Sequence, residues 1–413
     1  MREVAIIGAG MIPFGRRDED TLMEMLAYAS LKALDDAGLG DKSVDAVYVA
    51  NMCAGMLQHQ SAIASSLVDR LSLMPAAAET IENGPASGAS AIKNGLLAVA
   101  SGYYDYVLVV GGEKMREVTG WRATDVVATM THPQAEYPYG ITLPGMAGMF
   151  THLYMEKYGV TREHLLAVSL KNQEIGTLNP YAHVEMALDR EGIFDSPEAV
   201  VNNPVSADPL HLYDLCPVSD GAAAVVICPL EMIKAGKAHP AGKGGQKPPE
   251  RANSKPSVLI AGFGQATDTQ TLQERDDPTD LKAVTLAAQQ AFEMAKLKPS
   301  DIDVAELHDA FTILEIAESE HVGFFKKGEG GKAAVAGKTR LGGQIPINLS
   351  GGLKARGHPV GATGVAQVVD IVWQLRHELP KTRQVQKARH GLTVNFGGFG
   401  NNVLAFVLKR VES

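Results

Sequence analysis

The feature that most constrains the fold of this 413-residue chain is an internal repeat: three segments of the first half recur, in the same order, in the second half. The matching pairs are 4–10 with 258–264, 32–53 with 290–311, and 88–102 with 361–375. Their offsets lie between 254 and 273 residues, which is too long a period for a solenoid. We therefore expect two related halves whose corresponding elements face each other.

Strand-like and helix-like segments alternate within the first half. The apolar runs at 4–10, 44–52 and 106–112 are typical of strands. The segments 21–38 and 89–102 carry apolar residues at helical spacing. This alternation predicts an α/β architecture with largely parallel sheets, and the repeat extends it to the second half.

Two irregular stretches interrupt the pattern. Residues 235–257 are rich in Gly, Pro and Lys and predict a flexible linker, which divides the chain into halves at 1–234 and 258–413. Residues 113–150 contain Pro, Gly, Met and aromatic residues, and predict a covering loop or an interface inside the first half.

Composition argues against several classes of protein. Lys and Arg total 38 against 47 Asp and Glu, a net charge of -9, which argues against nucleic-acid binding. The three cysteines are too few and too scattered for a disulfide framework or a zinc cluster. No apolar run is long enough to span a membrane, and the opening residues predict a strand instead of a signal peptide. We therefore expect a cytoplasmic protein with no membrane segment.

Four glycine-bounded segments carry the residues that could do chemistry. They are 82–90, 306–311, 348–364 and 394–402. Each one alone is more typical of a tight turn than of a site. The repeat changes that balance, because it aligns Pro85 with His358 and so sets two helix N-termini against each other. His308, at the end of a predicted strand, is expected to reach the same place.

Helix N-termini present free N–H groups and positive potential. Two imidazoles beside them could form an acid–base pair and stabilise an oxyanion. Neither His308 nor His358 has Cys or Glu at metal-ligand spacing, so we expect no zinc site.

Five motifs run through the chain in a recognisable order. They are GPASG (84–88), DLCPVSDGAAAVV (214–226), HDAF (308–311), SGGLKARGHPVGATG (350–364) and NFGGFG (395–400). Together they resemble the signature loops of the thiolase superfamily, and HDAF is similar to the sterol-carrier-protein type and its archaeal relatives. The resemblance implies a duplicated, five-layered α/β/α/β/α fold. It also implies an acyltransferase that acts on coenzyme A (CoA) thioesters, in acyl-CoA metabolism such as lipid or aromatic degradation.

The resemblance also assigns roles to individual residues. The implied catalytic residues are His308, His358 and Asn395, the oxyanion-loop residues are Gly88, Gly397 and Gly398, and the substrate-binding residues are Ser350, Gly351 and Phe311. CoA enters as substrate or product, with no other cofactor and no metal.

Two positions depart from the family's pattern. Pro85 stands where the family carries its nucleophilic Cys, and Asn395 stands where many members carry a second Cys. Pro has no attacking atom but suits the first turn of a helix. Ser87 and Cys53 are weaker substitutes, because capping and packing are their more ordinary roles. The same holds for Cys216, Cys228, Tyr137 and Tyr139.

Three functions stay open at this point. The first is Claisen or retro-Claisen acyl transfer without a Cys acyl-enzyme, and the second is retro-aldol cleavage of a β-hydroxyacyl-CoA, which needs no covalent intermediate. The third is a catalytically silent CoA-binding or structural subunit. The resemblance further implies a homodimer and a small zinc-ribbon/OB-fold partner protein.

Overall fold

The computed structural model describes residues 2–39, 44–234 and 255–411, so most of the predicted linker lies outside the described residues. The strands are β1 (Val4–Met11), β2 (Ala46–Ala50), β3 (Ala77–Ile81), β4 (Val107–Glu113), β5 (Val205–Ala207), β6 (Leu210–His211), β7 (Gly221–Pro229), β8 (Val258–Thr267), β9 (Val304–Glu306), β10 (His390–Gly397) and β11 (Asn402–Arg410). The helices are α1 (Leu22–Asp36), α2 (Ala54–Leu57), α3 (Ile63–Arg70), α4 (Ser87–Ser101), α5 (Gly120–Ala128), α6 (Leu143–Tyr158), α7 (Arg162–Thr177), α8 (Ala199–Asn202), α9 (Leu230–Lys234), α10 (Lys282–Ala295), α11 (Thr312–His321), α12 (Gly330–Val335), α13 (Gly352–Arg356) and α14 (Val360–Arg376).

In the described part of the chain, nine strands form one sheet in the order β3–β2–β4–β7–β1–β8–β11–β10–β9. The halves meet where β1 pairs with β8, with Ala5 opposite Leu259. Beyond β9, Ile347 makes a single parallel bridge to Ala305, at the place that β3 occupies in the first half. The strand order therefore mirrors itself about the β1–β8 junction, as the repeat predicts.

The sheet is mixed, whereas the alternating pattern predicted largely parallel strands. β2 runs parallel to β3 and β4, and β9 runs parallel to β10. β7 and β11 run antiparallel to both of their neighbours. A short turn joins β10 to β11, and such a connection permits only an antiparallel pair. Strand-like segments can be recognised locally, but their direction depends on the connections between them.

Helices α4 and α14 lie between the two halves of the sheet, and α14 contacts strands of both halves. Alternate residues of β7 face opposite sides: Ala222 and Val226 pack with α1, and Ala223 and Ile227 pack with α4 and α14. Helix α10 covers β8 and β11 in the second half as α1 covers β1 and β7 in the first. The predicted five-layered α/β/α/β/α fold is thus confirmed.

The two central helices touch near their N-termini through glycine. A Cβ added to Gly88 would lie 2.8 Å from the backbone nitrogen of Val365, and one added to Gly364 would lie 2.4 Å from that of Ala89. A larger side chain at either position would therefore push the helices apart. Glycine at both positions holds the two helix starts together.

The stretch 113–150, which the sequence pattern predicts to be irregular, contains α5, a 3₁₀ turn at Tyr137–Tyr139 and the start of α6. Apolar side chains of α5 and of the α6 start face the interior of the molecule. Within the described ranges, no helix combines the length and apolar character needed to cross a membrane.

Candidate active site

A cavity of about 210 Å³ lies beside the N-termini of α4 and α14. Pro85, His308 and His358 all line it, so the structure brings together the three residues that the repeat predicts to meet. Most of the remaining wall is apolar and comes from α5, the start of α6, residues 215–218, the start of α11 and the turn between β10 and β11.

The two imidazoles lie edge to face, with ring centroids 5.0 Å apart and an interplanar angle of 85°. The ring of His308 also stacks on Phe396, at a centroid distance of 5.1 Å. His308 is 2 % exposed and His358 is 8 % exposed. Both rings are therefore held in fixed orientations and largely shielded from water.

Hydrogen bonds determine which ring nitrogen of His358 carries the proton. Its Nδ1 lies 2.6 Å from the hydroxyl oxygen of Thr363, and that hydroxyl donates to the carbonyl of Pro359. Because the hydroxyl has one proton, its oxygen accepts the hydrogen bond from the N–H at Nδ1. In the neutral ring Nε2 then carries a lone pair, and the residue can accept a proton.

The opposite arrangement holds at His308. The side-chain nitrogen of Asn395 donates to Nδ1 of His308 at 3.0 Å, because an amide nitrogen cannot accept. With the amide in this orientation, the neutral ring carries its proton on Nε2, and His308 can donate a hydrogen bond from that atom. Asn395 does not line the cavity, so it positions His308 and contacts no ligand there.

Burial keeps both rings neutral. Burial, with a smaller contribution from the nearby Arg356, lowers the pKa of His358 to about 3. Burial, His358 and Arg356 lower the pKa of His308 well below its ordinary value. The cavity thus presents one proton acceptor and one proton donor, a pair suited to moving a proton and stabilising a developing oxyanion.

Pro85 and its neighbours offer no nucleophile to the cavity. The hydroxyl of Ser87 donates to the carbonyl of Gly84 at 2.6 Å and accepts from the N–H of Asn83 at 2.8 Å, so it holds the turn that precedes α4 and does not cap the helix as predicted. Cys53 is fully buried among apolar side chains and does not line the cavity, and burial raises the pKa of its thiol.

Cys216 lines the cavity, whereas the sequence pattern predicts an apolar filler at this position. Cys216 follows Leu215 in the wall, and burial, with a contribution from Asp309, raises the pKa of its thiol to about 12. It therefore stays protonated near neutral pH and is a weak nucleophile. The motif at 214–226, which contains Cys216, is the sequence signal that could have identified this residue as part of the site. Cys228 packs in the cluster of α1, away from the cavity.

The loop tyrosines also lie outside the cavity wall. The hydroxyl of Tyr137 donates to Asp125 at 2.9 Å, on the surface of α5. Tyr139 is 78 % exposed. Neither can serve as an acid for a ligand in the cavity in this arrangement.

Ser350 and Gly351, which the resemblance assigns to substrate binding, lie at the start of α13. The hydroxyl of Ser350 donates to Glu306 at 2.6 Å and accepts from the N–H of Gly352 at 3.0 Å. Gly351 has a φ of +97° at the start of α13, and a Cβ there would lie 2.9 Å from Gly176. Both residues fix the chain leading to His358, and neither lines the cavity.

The glycines assigned to the oxyanion loops divide into two groups. Gly398 lines the cavity, as does Phe311. Gly397 lies in an adjoining polar groove, and Gly88 is taken up by the contact between α4 and α14. Neither Gly88 nor Gly397 lines this cavity, so their role in the oxyanion loops stays a prediction.

Two buried carboxyl groups that the sequence pattern does not identify as site residues hold the starts of α14 and α13. Glu113, at the end of β4, accepts hydrogen bonds from the backbone N–H groups of Met52, Cys53 and Gly361 and from the side chain of Asn51. Burial raises its pKa to about 7. A first-half carboxyl group thus anchors the first turn of α14; its only sequence signal is its place after an apolar run.

Asp309, the second residue of HDAF, plays a similar part for α13. It accepts from the N–H of Leu353 and from the side chain of Asn172, both at 2.7 Å. Among the described residues, no group of three or more His, Cys, Asp or Glu side chains is arranged to hold a metal ion.

Comparisons with known proteins agree with this architecture. Residues 4–231 match the family model "Thiolase, N-terminal domain", and residues 264–410 match "Thiolase C-terminal domain-like". An acetyl-CoA acetyltransferase of Methanothermobacter thermautotrophicus is 41% identical over 99% of this chain and 100% of its own length. Sterol carrier protein 2 of Oryctolagus cuniculus is 31% identical over 95% of this chain and 70% of its own length.

A solved structure, described as an Ltp2-ChsH2(DUF35) aldolase, has the same fold. It superposes with a TM-score of 0.78 and covers 99% of this chain and 98% of its own chain, at 23% identity.

Proposed function

This chain belongs to the thiolase superfamily, and from that premise we propose that it makes or breaks the carbon–carbon bond beside a CoA thioester carbonyl without an acyl-enzyme. The observation that carries the proposal is the pair of neutral imidazoles. One accepts and one donates a proton, in a cavity whose wall at Pro85 has no attacking atom. As a thiolase-like acyltransferase, the protein would pass the acyl group directly between the substrate and the thiol of CoA.

The two histidines divide the work in the cleavage direction. Nε2 of His358 accepts the proton of the CoA thiol, and the sulfur attacks the 3-oxo carbonyl of the substrate. The bond between C2 and C3 breaks, and its electron pair forms an enolate whose oxygen accepts a hydrogen bond from His308. The proton on His358 then moves to C2, which leaves two shorter thioesters.

A retro-aldol reaction is the second candidate, because it too needs no side-chain nucleophile. Because the pKa of Cys216 is raised to about 12, no side chain in the wall is an activated nucleophile. His358 would accept the proton of a 3-hydroxyl group, the C2–C3 bond would break, and an aldehyde or ketone would leave. The enolate held by His308 would then take the proton back at C2.

One assay separates these functions. The purified chain is incubated with 3-oxoacyl-CoA or 3-hydroxyacyl-CoA, with and without free CoA. Acyl transfer consumes CoA and yields two thioesters, whereas retro-aldol cleavage yields one thioester and a carbonyl compound without CoA. Binding of both substrates with turnover of neither, in the presence of the proposed partner, would instead identify a silent CoA-binding subunit.

The absence of an acyl-enzyme is tested by intact-mass spectrometry after incubation with acyl-CoA. We expect an unmodified chain, and Cys216→Ser provides the matched control because Cys216 is the thiol that lines the cavity. An adduct on wild type that is absent from Cys216→Ser would contradict the proposal and reveal a relocated nucleophile.

The proposal includes other subunits. The structural relative whose name joins Ltp2 with ChsH2(DUF35) supports a second component, which we propose is a small zinc-ribbon/OB-fold protein. A homodimer is supported by β3, an edge strand with exposed residues that is open to pairing. Copurification and the mass of the assembly in solution test both.

A further inference from the structure

One part of the cavity wall comes from α5 and the start of α6. Ala123, Thr124 and Val127 face the cavity at helical spacing along α5, and Leu143 reaches it from the start of α6. Thr124 donates its hydroxyl proton to the carbonyl of Gly120, so it offers no free donor to a ligand. This side of the cavity can therefore make mainly apolar contacts.

No residue that lines the cavity carries a charge. Its titratable side chains are His308, His358 and Cys216, and burial keeps all three neutral near pH 7. A carboxylate at the far end of an acyl chain would lie in this wall without a cation or a donor. Burying an unpaired charge is strongly unfavourable, so the cavity discriminates against dicarboxylic acyl groups.

The volume of the cavity also indicates the size of the acyl group. An apolar cavity of about 150 Å³ is large enough to hold benzene, and this one has a volume of about 210 Å³. An acetyl group would fill a small part of it and would leave the contacts with Val127 and Leu143 unmade. Unfilled apolar space forgoes the favourable burial that a longer chain would gain.

We propose that the acyl group is uncharged and apolar, with about six to eight carbon atoms in a straight, branched or aryl-bearing chain. This inference rests on the proposed function and names its substrate class. It separates this chain from the acetyl-CoA acetyltransferase to which it is similar.

Binding of nonreacting thioesters to the full chain, measured by calorimetry, tests the proposal. Hexanoyl-CoA should bind about tenfold or more tightly than both acetyl-CoA and adipoyl-CoA, which has the same chain length but ends in a carboxylate. Equal dissociation constants for the three would overturn the inference while leaving the proposed function in place. Failure of every thioester to bind would overturn both.

Substitutions at Val127 test where the acyl group lies. Val127→Phe fills the cavity from a partly exposed helix position and should weaken hexanoyl-CoA binding about tenfold while acetyl-CoA binding stays unchanged. Val127→Lys provides a cation for the terminal carboxylate, so the dissociation constant of adipoyl-CoA should approach that of hexanoyl-CoA. Trp121→Ala, on the exposed side of the same helix, is the matched control. Loss of both acetyl-CoA and hexanoyl-CoA binding in Val127→Phe, at an unchanged melting temperature, would contradict this placement.

Discussion

The starts of α4 and α14 are equivalent positions of a duplicated fold, yet they differ in chemistry. Both helices begin beside the same cavity and touch through Gly88 and Gly364. The first begins just after Pro85, with a hydroxyl that holds the preceding turn, and the second begins just after His358, with a hydroxyl that orients an imidazole. The scaffold is shared, but the titratable group is present on one side only.

The difference extends beyond the helix starts. Both imidazoles of the cavity come from the second half, whereas both halves supply its apolar wall, the first half mainly through α5, α6 and residues 215–218. The two halves therefore share the shaping of the space, and the second half alone supplies the proton acceptor and donor. Duplication has thus placed two equivalent helix starts beside one cavity, and the two helix starts carry different side chains.

Replacing the residues at the two helix starts should give the largest contrast. His358→Ala should lower turnover by about a hundredfold or more, because it removes the proton acceptor, and His308→Ala should have a comparable effect through the lost donor. Pro85→Ala should leave turnover near wild type, since Pro85 supplies no reacting atom. Steady-state kinetics at matched melting temperatures check the contrast. Equal losses of turnover in Pro85→Ala and His358→Ala would contradict this contrast.

The hydroxyl of Thr363 should matter less, because it acts through His358. Thr363→Val leaves the N–H at Nδ1 without its acceptor and should lower kcat about tenfold, with KM nearly unchanged. Thr363→Ser retains the hydroxyl and should restore most of the rate. A purely structural role would predict a lower melting temperature in both variants and no rescue of kcat by Ser.

The hydrogen bonds of Glu113 join the two halves, so a substitution at Glu113 should mainly lower stability. Glu113→Gln places an amide group among N–H donors, including that of Gly361, and should lower the free energy of unfolding by about 1–3 kcal/mol. Urea denaturation measures this change. Glu117→Gln is the control, because Glu117 is partly exposed and its ion pair with Lys114 is long, at 3.6 Å. Equal stability of the two variants would show that Glu113 does not anchor α14.

The smallest expected effect is on the pH dependence of activity. Because the pKa of His358 is lowered to about 3, its proton-accepting form persists, and activity should show no step near the ordinary histidine value of about 6.5. Stability should decline as the pH falls from about 6.5 towards 3, since unfolded histidines bind protons that the folded rings do not.

Denaturation at several pH values measures that decline. It should be shallower in His358→Ala and unchanged in His59→Ala, which removes an exposed imidazole. An activity step near 6.5 that disappears in His358→Ala would contradict the assignment of a neutral, buried ring.

Much of the fold could be predicted because its signals are local and are repeated. The apolar periods locate β1, α1, α4 and β4, and the repeat transfers them to the second half. The repeat also predicts that Pro85 and His358 meet, and the position of His308 at the end of a predicted strand places it near them. The prediction of largely parallel sheets does not hold, because the direction of β7 and β11 depends on how the chain returns to the sheet.

What the sequence determined by itself is the duplicated architecture, the presence of two histidines at glycine-rich turns and the lack of an attacking atom at residue 85. The tertiary structure alone decided that Thr363 and Asn395 give the two rings opposite proton positions, that Cys216 enters the cavity, and that Ser350 and Gly351 do not. The physical reason is distance along the chain. Periodicity and turn chemistry act over a few residues, whereas Asn395 and His308 are 87 residues apart, and only packing brings them within hydrogen-bond distance.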